Sequence, residues 1–178
     1  MNETQRRPAQ IVTRATAIRG RSPVWREDVI PGAILGVVFG VWNIAESIRH
    51  PLADDSPVAL LSFYGPMFAA WGVAGFLAAR RQGRLADGVK AGMWVALVTF
   101  VVFWLANLLR VNLFLETVRY RDDWRSLVAR FEASGFQSLR AYANYEYLRG
   151  APLKIFVPAM IGAVTGFLGG LLALVKRP

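Results

Sequence analysis

Residues 91–109 read AGMWVALVTFVVFWLANLL and carry no charge. A helix of about 20 apolar residues crosses a hydrocarbon core of ~30 Å. A helix that is apolar on every side belongs in the centre of a large protein or in a membrane. The chain has only 178 residues, so the membrane reading holds. Working outward, three more blocks share this character: about Ile30 to Ile48, Val58 to Ala79 and Ile155 to Val175.

These blocks hold most of the 54% of residues that are hydrophobic. Soluble domains average roughly 45–50%. The charged residues sit almost entirely between the blocks. That segregation excludes a soluble globular domain, a disordered chain and a coiled coil. The expected fold is an all-α, polytopic integral membrane protein with four transmembrane helices. Two short amphipathic helices are expected in the outer loop between spans three and four. Residues 1–29 read as a cytoplasmic basic tail. Residues 30–178 read as one four-span membrane domain, with 118–150 as an extracytoplasmic helical loop. Pro31 and Pro57 suit first helical turns, where a missing N–H costs nothing. Asp87 suits an N-cap. Pro152 sits just ahead of span four.

Lys and Arg accumulate in cytoplasmic loops. Arg6, Arg7, Arg14, Arg19, Arg21 and Arg26 precede span one. Arg80, Arg81, Arg84 and Lys90 follow span two, and Lys176 and Arg177 follow span four. The opposite side has Arg49 against Asp54 and Asp55, then a long loop of mixed charge. Both termini are therefore expected in the cytoplasm, with the chain multi-pass in the plasma (inner) membrane. The formal net charge of +9 is then mainly a topology signal. No nucleic-acid partner is expected, because no compact basic domain exists to carry one. Trp25 and Trp94 fall near the proposed inner boundary, and Trp42, Tyr64 and Trp104 nearer the outer one, as interfacial aromatics do.

The tail lacks the apolar run of a signal peptide. Ile11, Val12, Ala15 and Ile18 share a helical face, which predicts a short basic helix on the inner membrane surface. A tail whose arginines only fix orientation is the alternative. In the outer loop, Trp124, Leu127, Val128 and Phe131 follow helical spacing. Gly135 is placed to end that helix. Leu139, Tyr142 and Ala143 share one face of a second helix, with Leu148 near its end. The cost of leaving Trp124, Phe131, Phe136, Tyr142 and Tyr145 in water predicts that both helices fold against the bundle, the alternative being one helix on the lipid headgroups with the rest loose.

Glycines form two regular stripes: Gly32, Gly36 and Gly40 in span one, and Gly162, Gly166 and Gly170 in span four. Small residues at this spacing let another backbone approach closely. The segments GAILGVVFG (32–40) and GAVTGFLGG (162–170) share the pattern G-A-[I/V]-x-G-x-x-x-G. That pattern suits either a remnant inverted repeat or convergence. The stripes predict that spans one and four pack on each other, or that a groove serves a homodimer or a partner membrane subunit. Membrane lipids are the other expected partner.

Polar groups inside a membrane cost energy and mark sites. Span one carries Asn43, Glu46, Ser47 and His50 near its outer end. Asn43, Glu46 and His50 share a face at i, i+3, i+7. Span three carries Asn107 and Arg110. Glu46 and Arg110 are expected at similar depth, and an ion pair between them is one reading. The others are an outward-facing pocket lined by Asn43, Glu46, His50, Tyr64, Asn107 and Arg110, or side chains that snorkel to the interface.

Other motifs for chemistry are missing. There is no cysteine and one histidine, so disulfides, thiolate sites and multi-His metal sites are excluded. No metal or cofactor is expected. No Walker A or HExxH sequence occurs. Glu46 and His50, four apart, are a minimal acid–base pair. In outline the chain resembles small four-span bacterial membrane proteins, a likeness without a diagnostic motif that implies no activity. The leading expectation is a non-enzymatic accessory or scaffold subunit acting through helix association. The alternative is a small oligomeric transporter or channel using the outer polar cluster. A third is an intramembrane enzyme using Glu46 and His50.

Overall fold

The structure, a computed structural model, describes residues 24–50 and 56–175. The expected surface helix over residues 11–18, and Lys176 and Arg177, lie outside the described residues. Six helices follow in order: α1 (Val24–Arg49), α2 (Pro57–Gln82), α3 (Leu85–Val118), α4 (Asp122–Glu132), α5 (Leu139–Arg149) and α6 (Ala151–Val175). The described chain is all-helical, and α1, α2, α3 and α6 are long and apolar enough to cross a membrane. This is the architecture of a multi-pass membrane protein.

Local chemistry explains most boundaries. Pro57 opens α2, and the Ser56 hydroxyl accepts from the Ala59 N–H at 3.2 Å. Gly83 ends α2 with φ 74°, a conformation that favours glycine, and its N–H bonds to the Ala79 carbonyl. Two expectations need correction. Pro31 lies inside α1 and not in its first turn, since 24–29 are already helical. The basic tail is shorter by those residues, and Glu27 ties this extension to Arg81 of α2 at 3.2 Å. Asp87 lies within the first turn of α3, where its charge suits the helix dipole, while Arg84 holds the cap position.

Helix α3 has 34 residues, or roughly 51 Å at 1.5 Å each. It therefore overruns the hydrocarbon core. Phe114 leaves helical geometry (φ −123°, ψ 25°) and marks a kink near that overrun. Beyond it, Leu115 and Val118 pack with Trp124, Leu127 and Ala143 of the α4–α5 hairpin. Asn112 and Asn144 exchange two hydrogen bonds of 3.0 Å that tie α5 to α3. Gly135, at φ 75°, turns the chain between α4 and α5. The hairpin defines one end of the molecule. The α2–α3 turn and the start of α1 define the other, here the terminal end.

Helix α3 is also the centre of the bundle. Helices α1, α2 and α6 all pack against it, and α2 packs against α6, while α1 makes no comparable seam with either. Both glycine stripes are used on α3. A Cβ at Gly36 would come 2.6 Å from the Val102 Cβ and 2.7 Å from the Thr99 carbonyl oxygen. Gly32 lies likewise against Val98, and Gly40 against Ala106. On the other side, a Cβ at Gly166 would come 2.5 Å from the Gly88 carbonyl oxygen. Gly162 meets Ala96 and Gly92, and Gly170 meets Leu85. The expected seam between spans one and four is thus corrected, since α3 stands between them and fills both grooves. Gly75 of α2 also meets Gly166, so α2, α3 and α6 converge at a four-glycine junction of Gly75, Gly88, Gly92 and Gly166.

Candidate functional site

Helices α1 and α2 are bridged by aromatic rings across a cleft floored by α3. Phe63 of α2 meets Phe39 and Trp42 of α1, at ring separations of 5.5 and 5.7 Å. At the hairpin end this cleft widens into a cavity of about 390 Å³. Its lining includes Asn43, Glu46, Tyr64, Asn107 and Arg110. Five of the six residues expected to gather therefore face one space. His50 is not part of that lining.

The polar contacts form a short chain across α1 and α3. Asn43 Nδ2 donates to Asn107 Oδ1 at 2.9 Å, and Asn107 Nδ2 donates back to the Phe103 carbonyl at 2.9 Å. Arg110 Nη1 donates to Ser47 Oγ at 2.7 Å, and Ser47 donates to the Asn43 carbonyl. Arg110 Nη2 donates to the Tyr147 hydroxyl at 3.4 Å, while Nε has no partner among the described residues. Ser47 and Arg110 are both buried.

The expected Glu46–Arg110 ion pair is not formed. The face of α1 that turns to α3 carries Asn43 and Ser47, one helical turn apart, and Glu46 lies one residue off it. Glu46 instead stands 3.9 Å from His50, too long for a hydrogen bond, and both side chains are largely exposed. The two charges lie at a similar level of the bundle, because Arg110 reaches Ser47, the neighbour of Glu46.

Four lining residues with polar groups were not among those expected there: Arg121, Tyr147, Lys154 and Trp104. The hairpin and its entry deliver two of them, and α6 a third. Arg121 precedes α4 and donates to the His50 carbonyl at 3.2 Å. Tyr147 of α5 accepts from Trp104 Nε1 through its carbonyl at 3.4 Å. Lys154, in the first turn of α6, sits 4.2 Å over the Tyr147 ring. Among the described residues, no group of three or more His, Asp or Glu gathers to hold a metal ion.

A second cavity of about 490 Å³ opens at the terminal end of the same cleft. Asp28, Asp87, Lys90 and Arg81 line it with Ala91 and Val95. Between the two lies an apolar partition of Phe39, Met67, Trp71, Val95, Ala96 and Phe103. Rings run through it without a gap: Phe63–Phe103 at 5.8 Å, Phe103–Phe100 at 5.5 Å and Phe100–Trp71 at 6.1 Å. Trp71 is fully buried, and its Nε1 has no partner among the described residues.

Comparison with known proteins gives no match: no family model, no curated protein and no solved structure is significantly similar to this chain.

Proposed function

We propose that the protein is a small membrane transporter whose path is the cleft between α1 and α2. One observation supports this above the others: two cavities, each with a few charged side chains in a largely apolar lining, occupy opposite ends of one cleft, with a thin apolar partition between them. On α3 the two linings are separated only by the stretch from Val95 to Phe100, or roughly 7.5 Å of helix. The partition is made of side chains. Rotation of Phe39, Trp71 and Phe103 would then thin it without breaking a helix. The orphaned Trp71 N–H adds support, because a buried donor without a partner costs about 1–3 kcal/mol, and a passing solute or water would satisfy it. In this reading the terminal end faces the cytoplasm of the plasma (inner) membrane and the hairpin end faces outward.

The test is to thin the partition. Phe39→Ala combined with Trp71→Ala, checked for fold by gel filtration, is reconstituted in vesicles with a halide-sensitive dye inside. The variant should leak halide well above empty vesicles. A folded variant with no leak would mean the two cavities do not belong to one path, and the transport reading would be wrong.

The accessory-subunit reading has a support of its own. Ile34, Val37, Val38 and Val41 are exposed on α1, where lipid or a second membrane subunit would cover them. The glycine stripes do not supply that surface, because α3 already fills them. Native mass spectrometry in detergent discriminates, since a stable oligomer lost with Val38→Ser and Val41→Ser would favour association. The exposed Glu46–His50 pair offers no enclosed reaction site, and no catalysis is proposed for it.

A further inference from the structure

We propose that the cavity beneath the α4–α5 hairpin binds an oxyanion, a carboxylate or phosphate carried on an apolar group, with Arg110 as its anchor. This deepens the transport reading, and rests on it only for the claim that the bound anion moves onward. Arg110 is 5% exposed and lines the cavity. Its hydrogen bonds go to two neutral oxygens, on Ser47 and Tyr147. Among the described residues it has no ion pair. A guanidinium held by neutral groups has no counter-charge among them, and a low-dielectric setting strengthens its pull on an anion.

Two further cations line the same space. Arg121 and Lys154 line the cavity, and Glu46 is the one carboxylate that does. The walls are of another kind: Phe63, Phe103 and Trp104 supply apolar surface. Small-molecule sites combine mostly apolar walls with a few placed polar groups, in volumes from about 300 Å³. Cationic groups beside aromatic ones suit an amphiphilic anion, with its charge at Arg110 and its apolar part on the rings. A bare cation is repelled from the same space.

The test uses the full-length protein, with its thermal unfolding midpoint as the readout. At fixed ionic strength, chloride is replaced by acetate or by inorganic phosphate in detergent. A parallel arm compares nanodiscs of phosphatidylcholine with nanodiscs that also contain phosphatidylglycerol. The wild type should be stabilised in a saturable way in at least one arm. Arg110→Gln should bind roughly tenfold more weakly, the scale of one charge-assisted hydrogen bond. The comparison with Arg110→Gln is needed because excluded anions stabilise any folded protein, the variant included.

A response to acetate or phosphate in detergent supports the site with a free solute. A response only to phosphatidylglycerol supports it with a lipid headgroup. Equal responses in wild type and Arg110→Gln, or none in either, overturn it. If Arg110→Gln does not fold, Lys154→Gln carries the comparison, and unchanged binding in that variant overturns the proposal. Binding is read without flux. The anion site therefore stands or falls separately from the leak through a thinned partition.

Discussion

Arg110 of α3 donates a 2.7 Å hydrogen bond to Ser47 Oγ of α1, with both side chains buried. This contact joins two parallel helices at the cavity and holds a charge where water is scarce. Removing the acceptor strands a buried donor. Ser47→Ala should therefore cost about 2 kcal/mol, the range for hydrogen bonds to charged groups. Glu46→Gln should cost under about 0.5 kcal/mol, as exposed substitutions do. Unfolding of the purified protein in detergent measures both. A larger loss for Glu46→Gln would show that Arg110 depends on the carboxylate.

The second prediction concerns the same seam one turn away. Asn43 and Asn107 share a 2.9 Å hydrogen bond between α1 and α3. Couplings of this kind in membrane bundles average about 0.6 kcal/mol and reach about 1.7. A double-mutant cycle of Asn43→Ala and Asn107→Ala should give a coupling in that range. Additive losses would mean that the two amides do not meet in the membrane.

Glycine contacts give a graded prediction. A methyl group at Gly166 would press on the Gly88 carbonyl and the Gly92 backbone, which cannot yield without moving α3. At Gly36 it would press mainly on the Val102 side chain and the Thr99 carbonyl. At Gly65 its nearest neighbour is Leu61 at 3.9 Å. Overpacking costs about 1–3 kcal/mol and occasionally more. Gly166→Ala should sit at or beyond the top of that range, and Gly36→Ala within it. Gly65→Ala should be neutral or stabilising, because alanine favours helix over glycine by ~1 kcal/mol. Thermal unfolding of the three variants fixes the order. A tolerated Gly166→Ala would mean that α3 and α6 are further apart than described.

How much of this was legible in the sequence follows from what each signal encodes. The four spans were readable because the bilayer demands about 20 apolar residues in a row, and 91–109 meets that demand without ambiguity. The α4–α5 hairpin was readable from the spacing of Trp124, Leu127 and Phe131 and from Gly135. Glycine stripes announced close packing but not the partner, since spacing within one helix says nothing of which helix fills the groove. For the α6 stripe the answer lay in Gly88 and Gly92, whose own four-residue spacing on α3 was the overlooked complement, while Val98, Val102 and Ala106 fill the α1 stripe. The polar site was legible as a neighbourhood and misread in detail. Glu46 and Arg110 attracted each other on paper as opposite charges, yet Ser47 sits on the inward face and Glu46 does not. Lys154 and Tyr147 were beyond reach, because their place depends on how the hairpin folds back.

The last prediction concerns orientation. Arg80, Arg81, Arg84 and Lys90 surround the short α2–α3 turn, with Asp87 as the acid among them. The hairpin end is also rich in arginine, but its loop is long and several of these charges are paired. Glu116 pairs with Arg119 at 3.0 Å, and Glu146 lies within 3.8 Å of Arg130 and 3.5 Å of Arg149. Basic residues in short loops decide orientation, and long loops cross largely regardless of charge. The turn should therefore stay in the cytoplasm and the hairpin should cross. Two insertion points suit reporters. Gln82 is exposed beside Gly83, and nothing lies within 4 Å of the position a Cβ would take at Gly135. A reporter active only outside the cytoplasm should be active at Gly135 and silent at Gln82, and a cytoplasmic fluorescent reporter should give the reverse. Replacing Arg80, Arg81 and Arg84 by Gln should weaken that asymmetry. If Gly135 instead reports from the cytoplasm, the Arg110 cavity opens inward, and any anion it takes must come from the cell interior or the inner leaflet.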